Sequence, residues 1–458
     1  MHARTASERP NVIVFFTDQQ RWDTTGVHGN PLGLTPNFDR MAREGTHFYH
    51  SFTCQPVCGP ARSCLQTGSY ATENGCYRNG IPLPANTRTL AHYFKEAGYE
   101  TGYIGKWHLA DHEPVRPEAR GGYEYWLASN ALEFSSDAYD TVMYDNDCDE
   151  VELPGYRADA QTDAAIRYIH SHKNDPFFLF LSYIEPHHQN HSDNYPAPLG
   201  YEEIYTDRWT PPDLKALVGT APQHLGGYYG MVKRLDEALG RLRDALKSLD
   251  LTKRTIILFT SDHACHFKTR NGEYKRSAHD SSIRVPTAVY GPGFEHGGQI
   301  RELVSLIDIP PTLLGAAGID VPSRMQGRSV LPLVRREPVD WPEEVFLQIS
   351  ESQVGRAIRT NRWKYSVRAP QANAWEEAGS DRYVEDLLYD LEADPHELTN
   401  LAGIDAFRPI ADDLKQRLIS RMIEAGEDAP IIDNAESRQS GARRVSVQEL
   451  RIKIRKTK

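Results

Sequence analysis

Residues 11–17 form an unbroken apolar and β-branched run, Val12 to Phe16 flanked by Asn11 and Thr17, that closes on Asp18. Apolar character at every position, rather than at alternate ones, predicts a strand covered on both faces that delivers a polar side chain at its end. Runs of the same kind recur at 101–105, 177–182, 255–260 and 287–290. Between them the spacing predicts helices over 39–44 and 90–97, each followed by a glycine, and over 163–170 and 231–249. Alternating strands and helices imply an α/β chain, a large mainly parallel sheet flanked by helices, with ligands gathered at the carboxyl ends of the strands.

The pattern changes beyond residue 335. Short alternating strands at 345–349, 355–359, 363–367 and 387–391, then a helix over 410–425, predict a smaller C-terminal α+β domain. The stretch 371–386 reads as a surface loop interrupting it. The expected organisation is an N-terminal domain over 1–335, the smaller subdomain over 336–440 and a basic tail over 441–458. In the tail Leu450, Ile452 and Ile454 alternate with cations, which suggests a strand added to a second subunit and hence a homo-oligomer.

Composition narrows the partners. The 458 residues are 39% hydrophobic and 25% charged, the make-up of a water-soluble enzyme-sized chain. A formal net charge of −11 argues against nucleic acid as the main partner. No apolar run approaches the roughly 18 residues of a membrane span, and residues 1–10 carry no apolar signal segment. The expected location is therefore cytoplasmic, or periplasmic or secreted if a leader has been removed. The six cysteines, at 54, 58, 64, 76, 148 and 265, lack the paired C-x2-C spacing of a zinc site. A leaderless chain also disfavours structural disulfides.

Candidate chemistry follows the strand ends. Asp18 ends the first run and Asp262-His263 follow the run at 255–260, a hard-to-borderline donor set suited to Ca2+, Mg2+ or Mn2+. Lys106 and His108 follow the run at 101–105, and Glu185-Pro186-His187-His188 follow that at 177–182. Cys58 opens Cys-Gly-Pro-Ala-Arg-Ser-Cys-Leu-Gln-Thr-Gly ahead of a helical segment, where a thiol beside Arg62 is a candidate nucleophile.

Six ordered segments together resemble the formylglycine-dependent sulfatases of the alkaline-phosphatase-like superfamily. They are the Cys58 run, Phe-Thr-Asp18, Phe-Thr-Ser-Asp262-His263, Gly-Lys106-Trp-His108, the segment from Lys275 to Arg284-Val285-Pro286, and Leu388-Tyr389-Asp390-Leu391. The resemblance implies that Cys58 is oxidised to formylglycine by a separate maturating enzyme, and that Asp18, Gln19, Asp262, His263 and residue 58 hold one divalent ion, Ca2+ first. It further implies that Arg62, Lys106 and Lys275 disperse sulfate charge, that His108 acts as a base and that His187 protonates the leaving oxygen. Gln19 stands where a second Asp is common, as in choline sulfatases and phosphonate monoester hydrolases.

The expected function is hydrolysis of a sulfate monoester, with a carbohydrate as the alcohol. His188, His279, Arg78, Arg21 and Trp22 lie next to the motifs as candidate substrate-binding residues. One rival reading is a phosphonate monoester hydrolase or phosphodiesterase of the same superfamily. The other is a non-catalytic binder of sulfated glycans.

Overall fold

Side chains of a strand alternate between its two faces, so a run apolar throughout must be covered twice. In the structure, a computed structural model describing residues 9–439, Val12, Val14 and Phe16 enter one hydrophobic core while Ile13 and Phe15 enter another across the sheet. The tail at 441–458, with the strand and oligomer contact expected of it, lies outside the described residues.

Ten strands make the main sheet. In spatial order they are Gly298–Ser305, Thr46–Phe52, Thr287–Tyr290, Thr255–Ser261, Asn11–Thr17, Phe177–Ser182, Glu100–Lys106, Tyr125–Ser129, Thr141–Tyr144 and Glu150–Leu153. Asn11–Thr17 pairs in parallel on both sides, Val14 standing opposite Phe180 and Leu258. Thr287–Tyr290 is antiparallel to both neighbours, against the parallel expectation. The connection from Asp262 to Pro286 contains only the one-turn helix Asp280–Ile283. Without a crossover helix to carry it back, the chain re-enters the sheet from the carboxyl edge.

The helices cover both faces. Pro36–Glu44, Leu90–Glu96, Arg157–Ser171 and Ala221–Ser248 stand where the spacing predicts helices, the last beginning well before residue 231. Leu235, Leu239, Leu242 and Leu246 of that long helix pack on the face carrying Ile13 and Phe15. Among the described residues no helix is long and apolar enough to cross a membrane, and all six cysteines are free thiols.

The second sheet is smaller, with Glu344–Ile349, Gly355–Thr360, Trp363–Arg368, Arg382–Asp390 and Ile431–Asp433 in that order, covered by Arg408–Glu424. The strand from Arg382 takes the last part of the stretch expected to be loop. Val345, Leu347 and Ile349 close on Phe52, Ala278, Ile283 and Leu303 of the main domain. Buried Lys364 bridges Asp280 at 2.6 Å and also Glu397, and Arg359 meets Asp280 at 3.2 Å. Arg284 donates to the Tyr49 carbonyl instead. The two domains are thus locked by an apolar seam and a closed ionic cluster.

Candidate active site

Parallel strands that stop level with one another put their terminal residues side by side, and here Asp18, Lys106 and Asp262 meet at the carboxyl edge. Close approach is required. At Gly105 (φ +109°) a Cβ would stand 1.9 Å from the Ser182 carbonyl oxygen, so only glycine lets this strand reach Lys106 beside its neighbour. After Asp18 the chain turns through Gln19 in the left-handed region, φ +66°. The Tyr228 hydroxyl pins that turn, donating to the Gln19 carbonyl and accepting from the Arg21 N–H, both at 2.8 Å.

Cys58 begins the helix Cys58–Thr67, whose ten residues are all buried. The Gly59 N–H donates to Asn79 Oδ1 at 2.8 Å, which fixes the first turn from outside. Around the sulfur stand Lys275 Nζ at 2.7 Å, His263 Nε2 at 3.2 Å and Asp18 Oδ1 at 3.6 Å, with His108 and His187 also approaching it. Burial alone would raise this thiol, but Lys106, Lys275 and His263 hold it well below the usual cysteine range.

The donor atoms of Asp18, Cys58, Asp262 and His263 all lie within 4.8 Å of one another. Three observations show that the set fits a cation. The His263 Nδ1–H donates to the Ala264 carbonyl at 3.0 Å, which turns Nε2 into the cluster, where loss of its proton would free a lone pair for an ion. Asp262 Oδ2 is buried and accepts no hydrogen bond, the Arg62 guanidinium standing 3.3 Å off. Burial and the neighbouring Asp18 also push the Asp262 carboxyl up to about 6, a repulsion that a divalent ion would relieve. The Gln19 amide has other partners, its oxygen accepting from the His188 N–H at 3.0 Å and its nitrogen facing Cys265 Sγ at 3.5 Å. The amide oxygen keeps a second lone pair, and Gln19 lines the cleft at this centre.

Cations ring the acids. Arg62 donates to Asp18 Oδ2 at 2.9 Å and to the Lys106 carbonyl at 2.8 Å. Lys106 Nζ is held between Asp18 Oδ2 at 2.8 Å and Glu133 Oε1 at 2.9 Å. Burial would raise Glu133, yet Lys106 and His108 draw it down to about 2. Sequence reading missed Glu133 altogether. The His187 Nδ1–H donates to the His188 carbonyl at 2.6 Å, so its Nε2 is left to accept from Lys275 Nζ at 3.1 Å.

A cleft of about 450 Å³ opens onto this centre, lined among others by Asn79, His108, Glu133, Phe134, His187, His188, Tyr274, Lys275 and Trp375. His188 stands in its wall, stacked on Tyr274 at 4.1 Å. Four further residues expected to bind substrate are placed elsewhere. Arg21 is buried against Asp23 and Asp213, which satisfy its charge. Trp22 packs against Arg21 and Arg284 and faces a separate hollow with Trp209. His279 is enclosed, bonded to Tyr389 and Ser277. Arg78 folds back on the Asn79 carbonyl at 2.9 Å and does not line the cleft.

Comparison with known proteins agrees with this geometry. The Sulfatase family profile matches residues 10–319, and the profile described as N-sulphoglucosamine sulphohydrolase, C-terminal, matches residues 272–424. A ulvan-active sulfatase from Formosa agariphila is 30% identical over 440 residues, covering 92% of this chain and 82% of the relative. An N-acetylglucosamine-6-O-sulfatase from Bacteroides thetaiotaomicron is 26% identical, covering 90% of this chain and 86% of the relative. One solved structure, in complex with its substrate D-glucosamine-2-N,6-O-disulfate, has a TM-score of 0.76 at 25% identity and covers 92% of this chain and 99% of that one.

Proposed function

The chain belongs to the sulfatase family, and from that premise we propose that it hydrolyses a carbohydrate sulfate monoester to the alcohol and inorganic sulfate. The carrying observation is Cys58 at a helix start, enclosed by two aspartates, His263 and the paired ammonium groups of Lys106 and Lys275. The sugar-sulfatase relatives and the solved complex with a sulfated glucosamine support the carbohydrate class.

Conversion of Cys58 to formylglycine by a maturating enzyme supplies an aldehyde hydrate, an oxygen nucleophile where the sulfur stands. Asp18, Asp262, His263 and residue 58 would hold one divalent ion, Ca2+ in this reading, which acidifies that nucleophile and withdraws charge from the sulfuryl oxygens. The rest is done by the chain. A sulfate ester is anionic and gains charge on its bridging oxygen as the S–O bond breaks, and Lys106, Lys275 and Arg62 offset it from fixed positions. The leaving oxygen takes a proton from the Lys275–His187 pair, in which the Lys275 ammonium carries the proton and donates to His187 Nε2 at 3.1 Å. His108, 3.7 Å from the Glu133 carboxylate, is placed to remove a proton at residue 58. Overall, one ester and one water give one alcohol and one sulfate.

The test is chain co-expressed with a formylglycine-generating enzyme. Mass spectrometry should find the residue-58 peptide lighter by the cysteine-to-aldehyde difference, and Cys58→Ala should lose turnover of nitrophenyl sulfate. Full activity in that variant overturns the reading. Faster turnover of a phenylphosphonate ester than of the sulfate would move the assignment to phosphonate monoester hydrolysis.

A further inference from the structure

The small domain reaches the nucleophile through one carboxylate. Glu351, with φ +65° and a side chain excluded from solvent, accepts the Asn79 N–H at 2.7 Å, and Asn79 in turn accepts the Gly59 N–H beside Cys58. The other oxygen of Glu351 meets Arg276 at 2.5 Å, and Arg276 directly follows Lys275. The Arg276 guanidinium lies over the Trp375 ring, 5.6 Å from its centroid.

Trp375 itself is 48% exposed, yet its loop is held firmly. The Glu351 N–H donates to the Ala374 carbonyl at 3.2 Å and the Tyr77 hydroxyl to the Glu376 carbonyl at 2.8 Å. Asn373 Oδ1 accepts the Trp375 N–H at 3.1 Å, and the Asn373 carbonyl accepts from Glu376 and Glu377. A large apolar ring that is both exposed and immobilised, in the wall of the cleft holding Lys275 and His187, is built to be covered by a ligand. Phe134, 70% exposed and adjacent to Glu133, adds a second apolar surface to the same cleft.

Charge at the rim indicates what that ligand carries. Lys268 is matched by Asp193 at 3.7 Å, and Arg276 by Glu273 at 3.4 Å as well as by Glu351. These two cations are spoken for. The ring lying outward of the sulfate therefore meets an aromatic face and a balanced rim, which suits the apolar C–H face of an uncharged sugar.

We infer that Trp375, positioned by Arg276 and Glu351, is the platform on which the neutral sugar ring of the substrate stacks. This rests on the sulfatase reading above and names the group next to the scissile sulfate. It makes Trp375 a determinant of specificity contributed by the small domain.

The experiment uses the full-length, formylglycine-bearing protein. N-acetylglucosamine 6-sulfate, galactose 6-sulfate and glucose 6-sulfate are assayed beside nitrophenyl sulfate. For the best sugar substrate, Trp375→Ala should raise KM about tenfold with kcat altered less than about threefold, and Trp375→Phe should recover most of the loss. An unchanged KM for that sugar in Trp375→Ala overturns the platform. Turnover of nitrophenyl sulfate without turnover of any sugar also overturns it and leaves the sulfatase reading standing. Failure of the wild-type protein on every sulfate ester removes both.

Discussion

Glu133 Oε1 lies 2.9 Å from Lys106 Nζ and Asp18 Oδ2 lies 2.8 Å from it, so the cation is fixed by two buried carboxylates instead of one. An amide at position 133 would keep the shape and lose the charge. Glu133→Gln should lower kcat by about 10–100-fold, as loss of a supporting contact does, with the bound metal retained. Steady-state kinetics with elemental analysis of the same sample would check both parts.

Chelation provides the second prediction. Two carboxylates and a histidine nitrogen, with one carboxylate oxygen left without a donor, describe a site for one ion per chain. Dialysis against a chelator should abolish sulfate ester hydrolysis, and Ca2+ should restore it. Elemental analysis should find about one equivalent in the wild type and less in Asp262→Ala.

The third concerns stability in the small domain. Burial would raise Glu385, but Arg408 at 2.7 Å, the Ala435 N–H at 2.9 Å and Tyr365 at 3.0 Å bring it down to about 2. A carboxyl whose folded value lies below its unfolded value of 4.5 stabilises the fold above that pH and loses the contribution as pH falls towards 2. Glu385→Gln should therefore cost about 1 kcal/mol at neutral pH, the partly exposed Arg408 keeping Asp412 as a partner. The gap between the two melting temperatures should narrow from pH 4.5 downward, as followed by calorimetry.

Three of the site's charged groups were legible because they close mainly apolar, buried strands. Asp18, Lys106 and Asp262 are the first charged residues at such ends, and the sheet needs only its parallel pairing to bring them together. Glu133 gave no such signal. It belongs to the single-turn helix Leu132–Ser135, too short for any periodicity, after a strand whose partly polar composition hid it as well.

The substrate pocket was harder to read for a different reason. Adjacency in sequence does not give the direction of a side chain. The left-handed turn at Gln19 sends Arg21 inward to Asp213, so a residue three places from Asp18 ends up in a separate salt bridge. Trp375 sat in a stretch expected to be only a surface loop, and its value comes from contacts with Glu351 and Arg276 that are distant in sequence or on another domain. Likewise, Thr46–Phe52 and Gly298–Ser305 interleave polar with apolar residues towards the sheet edge, which conceals them from a search for continuous runs.

The complete enclosure of the helix Cys58–Thr67 sets an order of events in the life of the chain. Under the proposed function, oxidation of residue 58 needs access to a side chain that the folded chain buries. Once Gly59 is tied to Asn79 and Asn79 to the small domain, that side chain is out of reach. Conversion as proposed would therefore have a deadline: chains that finish folding first would keep a thiol, and the active fraction of a preparation would record a race between an enzyme and the folding of its own substrate.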